Sequence, residues 1–111
     1  MFTSLMASIL PLNKILDLVK KSLEQTIGKE LFTYRLDINF ETKQMFFVVD
    51  NNKYRFVDGE KFIDLISKGL SEKNIDDKLD YIIIEYKPPN NMAKIYSTDK
   101  EGNKILNEKK L

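Results

Sequence analysis

Three stretches of this chain hold residues whose types and spacing could do more than pack. The first is Asp76-Asp77-Lys78-Leu79-Asp80, with three carboxylates in a short polar run. Hard cations such as calcium bind through oxygen, so a carboxylate cluster is the least that such a site needs. A solvated loop has the same composition, and without a defined ligand spacing the loop is the expectation. The second is STDKEGNKILNE, Ser97 to Glu108. It shadows an EF-hand loop, with Asp99, Glu101, Gly102 and Glu108 near positions three, five, six and twelve. Position one is Ser97 instead of Asp, and the normally apolar position eight is Lys104. The segment before it also reads as a strand. A polar turn in which Gly102 supplies a positive φ accounts for the same residues. The third is a set of alternating outward positions, Arg35, Asp37 and Asn39 with Tyr81, Ile83 and Glu85. Arginine, tyrosine, carboxylates and an isoleucine on one rigid face resemble the composition of a protein-binding patch. An ordinary solvated face with cross-strand ion pairs would contain them too.

Absences narrow the chemistry further. The chain has no cysteine and no histidine. Disulfides, thiolate metal sites, a cysteine nucleophile and a serine triad of the usual form are therefore excluded. Absent too are the commonest general base and zinc ligand. The four glycines form no phosphate-cradling loop. No catalytic residue, metal site or cofactor is implied, and a non-enzymatic role is expected. The charges, 18 basic against 17 acidic, leave a net +1. Such a balance provides no global field for nucleic acid or an anionic membrane. Only Arg35 and Arg55 carry the guanidinium fork that phosphate recognition favours.

The elements that must position these residues follow from periodicity. Phe32, Tyr34, Leu36, Ile38 and Phe40 alternate with Thr33, Arg35, Asp37 and Asn39, which predicts a strand with one buried face. Before it, Leu12, Ile15, Leu16, Val19, Leu23 and Ile27 form one stripe of a helix over 11–27 that Gly28 ends. After it, Met45 to Val49 is apolar on both faces and predicts a central strand covered on both sides at least in part. Asp50 to Lys53 predicts a hairpin turn into a third strand at Tyr54 to Val57. Asp58 suits an N-cap for a second helix with Phe62, Ile63, Leu65, Ile66 and Leu70 inward. Ser71 to Asp80 reads as a loop, and Tyr81 to Lys87 as a strand with Ile82, Ile84 and Tyr86 inward. Met92 to Thr98 follows as a strand, Asp99 to Asn103 turns, and Lys104 to Leu106 reads as a short last strand.

The expectation is one α+β domain over 1–111, an antiparallel sheet of five or six strands with two helices on one face, in the order α-β-β-β-α-β-β(-β). Residues 107–111 read as a mobile charged tail. Residues 1–10 are apolar and uncharged, with no basic n-region and too short a run to span a bilayer. They predict a cytoplasmic chain whose N-terminal arm docks on its own domain or frays, or else packs on a partner or a second subunit, which leaves room for a homodimer.

In its order of elements the chain resembles small bacterial immunity proteins that neutralise polymorphic or contact-dependent toxins. The resemblance lies in a helix, strands written like LFTYRLDINF and QMFFVVDNNKYRF, a second helix, and strands ending near a turn like TDKEGNKI. It covers most of residues 11–106 and assigns no site residue. It implies a cytoplasmic antitoxin-like inhibitor that binds a protein toxin stoichiometrically, without membrane or nucleic acid. A type III secretion chaperone for an effector has a similar order and dimerises, and a phage-encoded inhibitor of a host defence protein would look much the same. Without imidazole or thiolate ligands, the melting temperature should not move when micromolar calcium, zinc or a chelator is added. A strong rise with either cation would contradict this reading.

Overall fold

The computed structural model describes residues 11–72 and 78–111, except for the side chain of Asp58. The expected α+β fold is present, and among the described residues it contains two α-helices and a six-stranded antiparallel sheet. Helix α1 is Leu12–Ile27, β1 is Thr33–Asn39, β2 is Gln44–Val49 and β3 is Asn52–Arg55. A 3-10 turn at Val57–Gly59 leads into α2, Glu60–Glu72, then β4, Lys78–Glu85, β5, Met92–Thr98, and β6, Lys104–Lys110. The strand order is β3-β2-β1-β4-β5-β6. Two meanders, β1-β2-β3 and β4-β5-β6, therefore meet side by side at β1 and β4. Each is preceded by a helix, so the chain runs through one helix and three strands twice.

The predicted stripe of α1 is the buried one: Leu12, Ile15, Leu16, Val19 and Leu23. Pro11 sits at the N-cap with extended geometry, and its carbonyl accepts from the Lys14 and Ile15 amides. Gly28 ends the helix at φ 74 and donates to the Glu24 carbonyl at 2.8 Å, the left-handed stop that glycine adopts without a Cβ penalty. In the β2–β3 turn only Asp50 and Asn51 separate the paired Val49 and Asn52, and both have positive φ (52 and 64). That is the two-residue turn whose twist suits a hairpin.

The strands bury alternate residues against the helices. Tyr34, Leu36 and Ile38 from β1 join Met45, Phe47 and Val49 from β2, and Ile82, Ile84, Ala93 and Ile95 from the other meander. One row of this face runs Tyr54, Phe47, Leu36, Ile82, Ile95, Asn107 through every strand. Gly59 is needed beside that row, because an added Cβ would stand 2.6 Å from the Cβ of Met45. At Gly69 the two helices meet over Leu12, where a Cβ would lie 3.1 Å from a Leu12 methyl. Two tyrosines tie α1 to the sheet. The buried Tyr34 hydroxyl donates to the Leu16 carbonyl at 3.4 Å, and Tyr86 donates to Asp17 at 3.3 Å under the Lys20 ammonium.

Several boundaries differ from the expectation. Phe32 is 60% exposed instead of buried, and Leu31 fills the core in its place, because the covered part of β1 begins only at Tyr34. Phe46 and Val48 are half-buried on the face away from the helices, so β2 is flanked by strands but carries one covering layer. Of the expected 71–80 loop, Ser71 and Glu72 extend α2 and residues 78–80 begin β4, and the rest lies outside the described residues. The supposed tail is the second half of β6, paired with β5 as far as Lys110. The expected cap at Asp58, the arm at 1–10 and the Asp76-Asp77 pair lie outside the described residues.

Leu36 has no exposed surface and lies on two strand pairs at the sheet's centre. Leu36→Ala should therefore cost about 2–5 kcal/mol in denaturant melts. A loss under about half a kcal/mol, well below that range, would mean that the faces are reversed.

Candidate functional site

The face of the sheet away from the helices is uncovered by any described element. Side chains alternate, so burying Leu36, Ile82 and Ile95 dictates that Arg35, Ile83 and Lys94 point the other way. Register then sets their neighbours. Lys53, Val48, Arg35, Ile83, Lys94 and Glu108 form a continuous row across all six strands. In the adjacent row Arg55 faces Phe46, which faces Asp37, and Tyr81 faces Tyr96, which faces Leu106.

The centre is a stack. The Arg35 guanidinium lies 5.4 Å from the Tyr81 ring centroid, and the Tyr81 and Tyr96 rings stack at 4.6 Å. Arg35 donates to both oxygens of Asp37, at 2.9 and 3.1 Å, and Lys53 adds a contact to Asp37 at 3.6 Å. The Lys53 ammonium also stands 4.9 Å over Phe46. Depressions of about 480 and about 560 Å³ flank Tyr81, one toward Asn39 and Phe46, the other toward Lys104 and Leu106.

Three carboxylates on this face, Asp37, Glu85 and Asp80, are matched by cations. Glu85 meets Lys94 at 3.0 Å and Lys87 at 3.6 Å, and the Lys94 hydrogen bond holds its carboxyl below the usual value. The same contact raises Lys94. Asp80 accepts from the Thr98 hydroxyl at 2.9 Å and from Lys104 at 3.2 Å, and these bonds lower it, Thr98 foremost. Asp80 joins the face because a bulge between Leu79 and Tyr81 turns both Asp80 and Tyr81 away from the core.

Of the six predicted positions, Arg35, Asp37, Tyr81, Ile83 and Glu85 come together here. Asn39 stands at the end of β1, and its side-chain oxygen accepts from the Glu41 and Thr42 amides, so it shapes the β1–β2 turn. Sequence reasoning missed Phe46, Lys53, Lys94 and Tyr96. Extending the alternation of β2, β3 and β5 would have found them. Nothing local signals the bulge that brings in Asp80.

The EF-hand-like stretch is a hairpin turn. Asp99 accepts from the amides of Glu101 and Asn103 and from the Asn103 side chain, while Gly102 has φ 86. Its carboxylate serves the turn, and Glu108 lies away on β6. Among the described residues no three acidic side chains are grouped as a metal site would require. No helix among them is long and apolar enough to cross a membrane. Comparison of the chain with protein families, with curated proteins and with solved structures finds no match.

These ionisations set a pH dependence. Asp80, Glu85 and Asp99 all titrate below their ordinary values in the fold. Lowered carboxylates contribute stability that is full above their unfolded values near about 4 and is lost as pH falls through the folded ones. Burial raises Tyr34 well above its ordinary value, so its contribution is full below about 10 and is lost as pH rises beyond. With no histidine, melting temperature should be flat from about pH 5 to 9. Thermal melts across a pH series check this, and Glu85→Gln should soften the acid-side fall. A step near neutral pH would contradict it.

Proposed function

We propose that this chain is a non-enzymatic protein-binding module that neutralises a protein toxin by stoichiometric binding, with the uncovered sheet face as its contact surface. The observation that carries the reading is the Arg35–Tyr81–Tyr96 stack at the centre of that face. Tyrosine and arginine are the residues most often found at the energetic centre of protein interfaces. Here they stand on paired strands, already ordered, so little side-chain freedom remains to be lost on binding. The flanking ion pairs form a polar rim of mixed sign, which favours a complementary protein surface and makes association sensitive to salt.

Single-stranded nucleic acid also binds aromatic sheet faces, but through free ring surfaces on which bases stack. Tyr81 has Arg35 and Tyr96 on its ring, so that surface is taken within the chain. The choice of a toxin as partner rests on the resemblance of the element order and strand texture to those of bacterial immunity proteins. The cytoplasm, where such an inhibitor meets its toxin, is the location that goes with this reading.

The test begins with a pull-down from the source cells and calorimetric titration of the captured protein, with one-to-one stoichiometry expected. Tyr81→Ala and Arg35→Glu should each weaken binding by about 2–5 kcal/mol where the residue is desolvated in the complex. Thermal melts of Arg35→Glu should stay close to wild type, since its side chain is 42% exposed and such pairs contribute little. Co-expression with the captured protein should relieve its toxicity. Wild-type affinity in both variants would remove the face from the reading, and a harmless partner would remove the toxin.

A further inference from the structure

Among the described residues the sheet has two open edges, and they differ. Edge strand β3 has four residues, while β6 has seven. A long free edge offers a row of unpaired main-chain groups to another strand. Which groups are free follows from the ladder. The Asp99 amide donates to the Asn103 carbonyl at 2.9 Å, and the Leu111 amide to the Asn91 carbonyl at 2.8 Å. Both bonds continue the register in which Thr98 faces Lys104 and Met92 faces Lys110. Antiparallel ladders alternate between bonded and non-bonded pairs. The odd-numbered residues of β6 thus turn their main-chain groups to β5, and Lys104, Leu106, Glu108 and Lys110 turn theirs outward. The side chains of these four share the uncovered face, and Leu106 is 46% exposed there.

We propose that this edge pairs with β6 of a second copy of the chain, antiparallel and centred on Leu106. In that register Leu106 faces its own counterpart, and Lys104 of each copy faces Glu108 of the other, twice by symmetry. In each of these three pairs both main-chain groups turn toward the mate, and the Ile105–Asn107 pairs between them are the non-bonded ones. The two registers shifted toward the C-terminus oppose like charges or set an apolar side chain against a charge. Centring on Asn107 sets Lys104 against Lys110 at both ends and Leu106 against a carboxylate. Centring on Glu108 sets two carboxylates face to face. Centring on Ile105 sets Lys104 against Leu106 twice and forms no ion pair within the strand. Opposite charges across a strand pair stabilise and like charges destabilise, so the charge pattern favours the first register.

The local surroundings agree. Lys104 bonds Asp80 and Thr98 within its own chain, yet its side chain is 77% exposed and can accept a second carboxylate. Glu108 makes no salt bridge of its own among the described residues and faces Lys94, whose ammonium is held by Glu85. Such pairing is isologous and closed, so it ends at two copies. It would continue the row of Tyr81, Tyr96 and Leu106 into its counterpart in the second copy, and both uncovered faces would lie on the same side.

Sedimentation of the full chain across the micromolar range tests this. The expected mass rises with concentration toward twice the 13.0 kDa of one chain. Leu106→Pro removes an outward amide at the centre and leaves the bonds to β5 in place, so it should stay monomeric while melting as a folded protein. Glu108→Lys should weaken association by roughly tenfold or more, since two attractive pairs become repulsive. The natural absence of cysteine allows a register test. Facing bonded residues have Cα atoms about 5.5 Å apart, within disulfide reach. Leu106→Cys should therefore form a disulfide-linked dimer on mild oxidation, and Lys110→Cys should not. A mass of one chain at every concentration would overturn the proposal, including the case in which only a foreign strand protects the Leu106 amide. So would wild-type association in Glu108→Lys, or equal cross-linking from both cysteine variants.

Discussion

The junction of β1 with β4 is the contact on which the rest of this structure depends. Leu36 faces Ile82 there, and Tyr34 faces Ile84, all four buried. Without it the chain would be two separate units of one helix and three strands. Each would then hold three strands under a single helix, at the lower limit of what is stable alone. Once β1 and β4 are paired, the two helices come to lie over one continuous apolar surface and close on each other at Gly69 and Leu12. The pairing joins residues 33–36 to 82–85, far apart in sequence. Loop-closure entropy must be met before this contact forms, so the seam should be formed late in folding relative to the local hairpins.

From that seam the two faces take different roles. The helix side is mostly apolar, and of its buried hydroxyls that of Tyr34 is engaged by the Leu16 carbonyl while Ser97 is fully buried. The opposite side holds rings and charges in fixed neighbour relations, such as Phe46 under Lys53 and Tyr81 between Arg35 and Tyr96. Individually those exposed contacts are weak. Their effect is on position, because each long side chain is restrained by a partner on the next strand.

Much of the core was legible in the sequence because its signals are local. The stripe from Leu12 to Leu23, the alternation from Tyr34 to Ile38 and the stop at Gly28 each follow from backbone geometry over a few residues, as does the hairpin turn opening at Asp50, although Asn52 and Lys53, expected within it, already belong to β3. The strand order could not be read, because periodicity says which face of β1 is buried and nothing about which strand lies beside it. The misread ends have a common cause. Phe32 keeps the apolar period but stands beyond the helices' cover, and the second half of β6 is paired despite its polar residues. An edge strand needs main-chain partners on one side only, so its composition can follow solvent. At the candidate site, Arg35, Asp37, Tyr81, Ile83 and Glu85 were legible from alternation alone. Asp80 was not, since the bulge before Tyr81 resets the period.

Alternation also bears on how such a face can change. A substitution at Arg35, Ile83 or Lys94 alters the outward row, while its neighbours Leu36, Ile82 and Ile95 keep the core intact. The surface can therefore vary with little effect on stability, as exposed strand positions generally do. Its edges are less free. A change at Tyr34 or Tyr86 would remove a hydrogen bond between the sheet and α1, because their hydroxyls reach Leu16 and Asp17 of that helix. At Gly59 any side chain would meet Met45. A protein whose partner changes over time gains from that separation, because recognition can be rewritten on one face while the fold is fixed by the other.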